Sequence, residues 1–305
     1  VSGVVAAFVA LVSVAVLGYV VGVGGLLRAS DELVLSRLAF FVATPALMFA
    51  TVSRADLHTL LSPVLLTEVV AVVCVQLAYV LVAKLLWRRD RRAATIGALA
   101  SSYVNAGNLG VPISIYVLGD GALVAPILLF QLIVLTPVSF LILDKGARSI
   151  RSALSLPFRN PLTVASLLGL ACALTGFSLP VTIMRPIELL GGAAVPVALL
   201  AYGLSLYGSQ RTPLEGDSVA WEVTLVVVLK SFAQPAIAYL VARFALGLDG
   251  AALLAATLFA ALPTAQNIYV YAVNYDTGRR LARSAVLITT VLSIPIMTTI
   301  GALLG

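Results

Sequence analysis

Residues 104–115 read VNAGNLGVPISI, with two asparagines, two glycines and a proline in a stretch that is otherwise as apolar as a lipid tail. Pro112 has no amide hydrogen to give to the carbonyl of Asn108, and it biases Val111 away from helical geometry. Gly107 and Gly110 remove the steric bar to a turn. A helix through this stretch is predicted to unwind near its middle. A second stretch, AALPTAQNIYVYA (260–272), carries Pro263 followed by Thr264, Gln266 and Asn267. Unsatisfied backbone is costly in hydrocarbon and tolerated only where protein or a watered cavity meets it. The two breaks should therefore face each other, gathering backbone groups and the side chains of Asn105, Asn108, Thr264, Gln266 and Asn267 into one small volume. The plainer reading is that prolines kink helices and amides tie them together. Pro45, Pro137, Pro196 and Pro295 are read that way. The two clusters are read as a substrate site because each joins a helix breaker to several polar side chains.

The rest of the chain sets these breaks in a membrane. Of 305 residues, 61% are hydrophobic and only 10% charged, and the mean hydropathy is +1.09. Such values lie outside the range of soluble domains. Runs long enough to cross ~30 Å of hydrocarbon as helices recur throughout. Ten spans are predicted, at 4–26, 32–52, 62–86, 93–118, 122–144, 161–177, 186–208, 219–244, 250–274 and 282–303. The first has no basic n-region and is read as a span, not a cleaved signal. The net charge of +6 is no nucleic-acid signature, because loops after odd-numbered spans and their flanks hold 15 of the basic residues and the opposite side holds Arg54, Arg185 and Arg243. By the positive-inside rule the odd loops are cytoplasmic in a cell (inner) membrane, with both termini outside. Cys74 and Cys172 fall within spans as small apolar residues. His58 stands alone in an outer loop, without the nucleophile, base and orienting group that an enzyme needs.

The two halves resemble each other weakly but in order. ATPALMFA (43–50) lies over AVPVALLA (194–201), VAK (82–84) over VAR (241–243), AGN (106–108) over AQN (265–267), and LTPVS (135–139) over SIPIM (293–297). The shifts are similar, so the chain reads as a five-span unit written twice: a first repeat at 1–144, a cytoplasmic linker at 145–160 and a second repeat at 161–305. Five is odd, so the second copy enters from the opposite side. This is the inverted-repeat plan of many secondary transporters.

Two charges lie within spans. Lys230 sits about halfway along VTLVVVLKSFAQPAIAYL (223–240), where a cation costs roughly 2.5 to 3.5 kcal/mol on insertion scales. Glu68, in LLTEVVAVV (65–73) of the symmetry-related third span, lies at a depth that differs by about 5 Å. An ion pair between them is geometrically possible, either structural or active in anion binding or proton exchange.

The pair of motifs, NAGNLGVP (105–112) and ALPTAQNIYVYAVNY (261–275), resembles the auxin efflux carrier family, which includes the plant PIN-type carriers and many bacterial members. The resemblance extends through length, span number and repeat plan. It implies the fold of bile acid sodium symporters, with a scaffold of spans 1, 2, 6 and 7 and a mobile bundle of spans 3–5 and 8–10. It also implies a homodimer, organic-anion substrates, Asn105 as a substrate contact, and Pro112 and Pro263 as crossover prolines. Ile268 replaces a further proline of the plant members, and their long central loop is missing. Both departures point to the bacterial branch.

The fold class expected is an all-α polytopic membrane protein with broken, crossing helices 4 and 9. The function expected is secondary transport of small organic anions by an elevator mechanism, without an enzymatic activity or cofactor, and with coupling to protons or sodium left open. The substrate-binding set is Asn105, Gly107, Asn108, Pro112, Pro263, Thr264, Gln266 and Asn267, with Lys230 and Glu68 as charge or coupling residues. One alternative is a cation/proton antiporter on the same fold, disfavoured because 100–118 and 255–275 hold no carboxylate. The other is a ligand-binding receptor or scaffold that does not transport.

Overall fold

The computed structural model describes residues 2–54, 62–144, 161–209 and 217–305. His58 and the linker at 145–160 lie outside these. The described residues are helical throughout, with one isolated bridge in place of strands. Among the described residues, six helices are long and apolar enough to cross a bilayer: Asp31–Val52, Pro63–Leu85, Ala125–Leu143, Val181–Gly208, Ala220–Ala245 and Arg279–Leu304. Shorter apolar helices occupy Val12–Val23, Ala106–Ile115, Pro161–Thr175 and Gly250–Ala260. Large apolar side chains such as Val16, Leu77, Leu81 and Val291 point outward, as a lipid solvent requires and water does not.

Capping sets several boundaries. The Ser62 side chain accepts from Leu65 N, just ahead of Pro63 at the first position of the third span, where its missing amide is not needed. The Asp90 side chain accepts from Ala93 N and starts Arg91–Ser102. The seventh span begins at Val181, ahead of the predicted 186, and takes Pro186 into its helix.

Four prolines inside spans are absorbed by one device. The amide just before Pro45, Pro112, Pro137 and Pro235 reaches back five residues, to the carbonyls of Ala39, Ala106, Gln131 and Leu229 respectively. A proline cannot donate, and its ring crowds the carbonyl four residues back. A single wide turn relieves both problems without ending the helix. The fourth span is accordingly corrected. Pro112 does not unwind it, for Val111 is fully helical (φ −61°, ψ −52°). The helix is interrupted earlier, between Ser102 and Ala106, where Tyr103 is extended (ψ 105°) and Asn105 departs from helical geometry (ψ 60°). In the ninth span Pro263 lies inside the interruption between Ala260 and Asn267.

The first and seventh spans approach closely through glycines. A Cβ at Gly18 would strike the backbone of Leu200, and one at Gly203 the backbone of Ala15 and Tyr19. Gly18 and Gly22, whose spacing could mark a dimer face, thus pack against the seventh span of their own chain.

Candidate functional site

The two interruptions meet backbone to backbone. Asn105 N donates to the carbonyl of Pro263 at 2.9 Å and Ala265 N to that of Tyr103 at 3.1 Å, an antiparallel bridge centred on Val104 and Thr264. Each extended segment supplies the partners that the other lost by leaving its helix, so the unwound backbone is satisfied without water, as a hydrocarbon surrounding would require. Neighbouring side chains secure the joint. Thr264, fully buried, donates its hydroxyl to the carbonyl of Ala100 at 2.7 Å, and its amide donates to Thr289 Oγ1 at 3.1 Å. Tyr103 OH shares a 3.1 Å hydrogen bond with Thr136 Oγ1. Gln131 Nε2 donates to the carbonyl of Val104 at 2.9 Å.

Beside the joint lies a cavity of about 330 Å³. The fourth span gives it Tyr103–Asn108 and Val111, and the ninth Ala265 and Asn267. The fifth gives Leu128, Gln131 and Leu132, the second Thr44, Leu47, Met48 and Thr51, and the seventh Ala194 and Val195. Its character is an apolar cup with a polar edge. None of the described residues that line it carries a formal charge. The side chains of Asn105, Asn108 and Asn267 make no hydrogen bond to described protein groups, and neither do the backbone amides of Gly107 and Asn108. The donors of Asn105, Gly107 and Asn108 stand at the start of Ala106–Gly110, and Asn267 opens Asn267–Asn274, the two half-helices that begin at the cavity, where amides lack intrahelical acceptors and the dipole is positive.

The predicted substrate residues divide. Asn105, Gly107, Asn108 and Asn267 line the cavity together, whereas Pro263, Thr264 and Gln266 are not among its described lining residues; the side chain of Pro112 lies outside the described ones. Pro263 and Thr264 serve the joint through backbone and hydroxyl, and Gln266 is buried with Nε2 unpartnered. Thr44, Thr51 and Gln131 line the cavity without having been singled out in the sequence. Gln131 is the lone amide of its apolar run, which was its only signal.

Lys230 and Glu68 lie behind the joint, with 0% and 1% exposure, and are not among the residues lining the cavity. The direct ion pair considered above is not formed. Lys230 Nζ instead donates to the carbonyl of Ala260 at 2.9 Å, at the C-terminal end of the ninth span's first half. Gln234 Nε2 donates both to Glu68 Oε1 and to the carbonyl of Ser102, each at 3.0 Å; Ser102 ends the fourth span's first half. A cation and an amide thus cap the two half-helix C-termini, whose carbonyls lost their partners at the breaks.

An apolar helical chain with two interrupted helices joined beside a charge-free cavity with a polar edge has the organisation of a membrane transporter. Residues 3–300 match the family described as membrane transport protein, and the chain belongs to it. The chain is 29% identical to a Rhizobium meliloti protein described as "Putative malonate transporter", over 87% of this chain and 84% of that one. It is 31% identical to an uncharacterized transporter of Methanothermobacter thermautotrophicus, over 91% of each. It is also 31% identical to auxin efflux carrier component 7 of Arabidopsis thaliana, over 48% of this chain and 24% of the plant protein. The resemblance to auxin efflux carriers noted in the sequence is thereby established.

Proposed function

We propose that the protein is a secondary transporter of small organic anions, and that the cavity beside the joined breaks is where they bind. The observation that carries this reading is the set of free donors at its edge: the amides of Asn105, Asn108 and Asn267 and the opening turn at Gly107. Amide and half-helix donors suit a carboxylate, and the malonate and auxin named in the relatives' descriptions are both carboxylates. The reading includes ten spans in two inverted repeats, with spans 3–5 and 8–10 moving as a bundle against spans 1, 2, 6 and 7. It also includes a homodimer in a cell membrane, for which the glycines of the first span offer no face. Glu68 and Lys230 are proposed as the coupling element, acting through the half-helix ends and not by touching the anion.

Uptake and counterflow of labelled malonate and of auxin-like monocarboxylates in proteoliposomes, with and without proton and sodium gradients, test the reading. Asn105→Ala and Asn267→Ala should each lose a desolvated hydrogen bond to a charged group, worth about 1.5 to 3 kcal/mol, or roughly tenfold to more than a hundredfold in affinity. Their melting temperatures should stay close to that of the parent. Variants that transport as the parent does would mean that the donors serve packing alone.

A further inference from the structure

The polar edge of the cavity carries an acceptor as well as donors. Gln131 is only 3% exposed, lines the cavity, and commits Nε2 to the carbonyl of Val104. That bond fixes the orientation of the amide, because exchanging its nitrogen and oxygen would set two acceptors against each other 2.9 Å apart. The amide oxygen receives no hydrogen bond from described protein groups, and it is not one of the fully enclosed, unpartnered atoms. It therefore borders the cavity.

An acceptor held in an apolar cup costs free energy until a donor reaches it. A fully ionised dicarboxylate has none to offer. Its second charge would also be uncompensated, since Lys230 is occupied with Ala260 behind the joint and no described lining residue is cationic. An un-ionised carboxyl, an amide or an N–H answers both problems, supplying the donor and leaving a single charge for the Asn105, Asn108 and Asn267 amides. The hydrocarbon between the two ends meets Leu47, Met48, Leu128, Leu132 and Val195.

We propose that Gln131 is a specificity-determining residue that selects singly charged organic anions carrying a hydrogen-bond donor, so that a dicarboxylic acid is taken in its half-protonated form. This rests on the organic-anion reading above. Binding to the purified protein in proteoliposomes is compared for malonate, malonamate and monomethyl malonate. The last two keep one fixed charge, with and without an N–H donor. Malonamate should bind about tenfold more tightly than the monomethyl ester. Malonate affinity relative to malonamate should fall about tenfold per pH unit above the second ionisation of malonate, a ratio that cancels titration of the protein's own Glu68, Lys230 and Tyr103. In Gln131→Leu the preference for malonamate over the ester should vanish.

Equal binding of amide and ester by the parent, or a malonate-to-malonamate ratio indifferent to pH, would overturn the proposal even if no variant folds. A preference that persists in folded Gln131→Leu would remove it from Gln131. If none of the three probes and no auxin-like monocarboxylate binds saturably, the organic-anion reading fails and this proposal falls with it. Transport without discrimination sinks the proposal alone.

Discussion

At Lys230 a full charge is spent on one carbonyl. The ammonium is wholly buried and donates to Ala260, where the first half of the ninth span ends with carbonyls that have no following turn. The negative end of a helix dipole and an orphan acceptor together justify a cation at this depth. Lys230→Met should leave that carbonyl unpaired and Glu68 without a compensating charge, lowering stability by about 3 to 5 kcal/mol. Lys230→Gln keeps a donor and should lose less. Adding Glu68→Gln to Lys230→Met should recover part of the loss, and thermal unfolding in detergent checks all three. If instead the Lys230→Met protein melts with the parent, the capping account is wrong. The sequence disclosed that Lys230 needed a purpose, but it could not disclose which. Glu68 was the only opposite charge at a matching depth, while Gln234, which in fact meets Glu68, looks in sequence like one more polar residue beside a proline. Thr44 was hidden for the same reason, as a polar residue beside Pro45, and nothing near Thr51 in the chain breaks a helix.

At the scale of the helix, punctuation by Gly, Pro and Asn disclosed which spans are interrupted but misplaced one interruption. Pro112 was expected to cause the break. The break instead precedes it, because the wide turn at Ala106–Gly110 already meets the demands of Pro112, and unwinding is left to the residues that pair with the ninth span. Gly110 adds a second constraint, since a Cβ there would come within 2.8 Å of Val124 Cγ2 and 3.2 Å of Leu262 Cδ1. A testable consequence attaches to the turn. Pro112→Ala restores the missing amide and allows the turn to tighten to ordinary helix, rotating what precedes it by one residue's worth, about 100° at 3.6 residues per turn. Asn105 and Asn108 would then leave the cavity edge. Transport should fall while melting temperature holds or rises. Pro137→Ala should do the same to Gln131 through its own wide turn, and the ester and amide probes would register it. Full transport activity in a stable Pro112→Ala protein would show that the turn does not set the register of the site.

Across the whole molecule, the cavity is offset from a second set of contacts. On the second span its lining residues run from Thr44 to Thr51, towards the end remote from Asp31. Around the opposite end, Glu32 accepts from Tyr269 OH. Tyr202 OH donates to the carbonyl of Arg283 at 3.0 Å, and Arg283 Nη1 to that of Ser205 at 3.1 Å. Phe40 meets Phe140, Tyr271 and Tyr275 edge-on nearby, and Phe140 meets Tyr271 edge-on with centroids 4.8 Å apart. These contacts tie spans 2 and 7 to spans 5, 9 and 10, which any sliding of a bundle must undo. If the basic loops are cytoplasmic, as the charge asymmetry predicts, the expected state is closed inward. Thr51→Cys should then react with an impermeant thiol reagent added outside intact cells. Adding Glu32→Gln and Tyr269→Phe should lower that reactivity by shifting the population inward, and unchanged labelling would relieve these contacts of any gating role. The bridge between Val104 and Thr264 carries one more consequence. It fuses the two broken spans, so in the proposed bundle motion Asn105, Asn108 and Asn267 would travel with a bound anion, while the other cavity residues Thr44, Thr51 and Val195 would be left behind. On that proposal the passenger would keep one set of companions for the whole journey and change the other at the border. Replacing a travelling companion should alter half-saturation equally from either face of the membrane, whereas Thr44→Val should alter it from one face only, making the carrier kinetically lopsided without changing its chemistry.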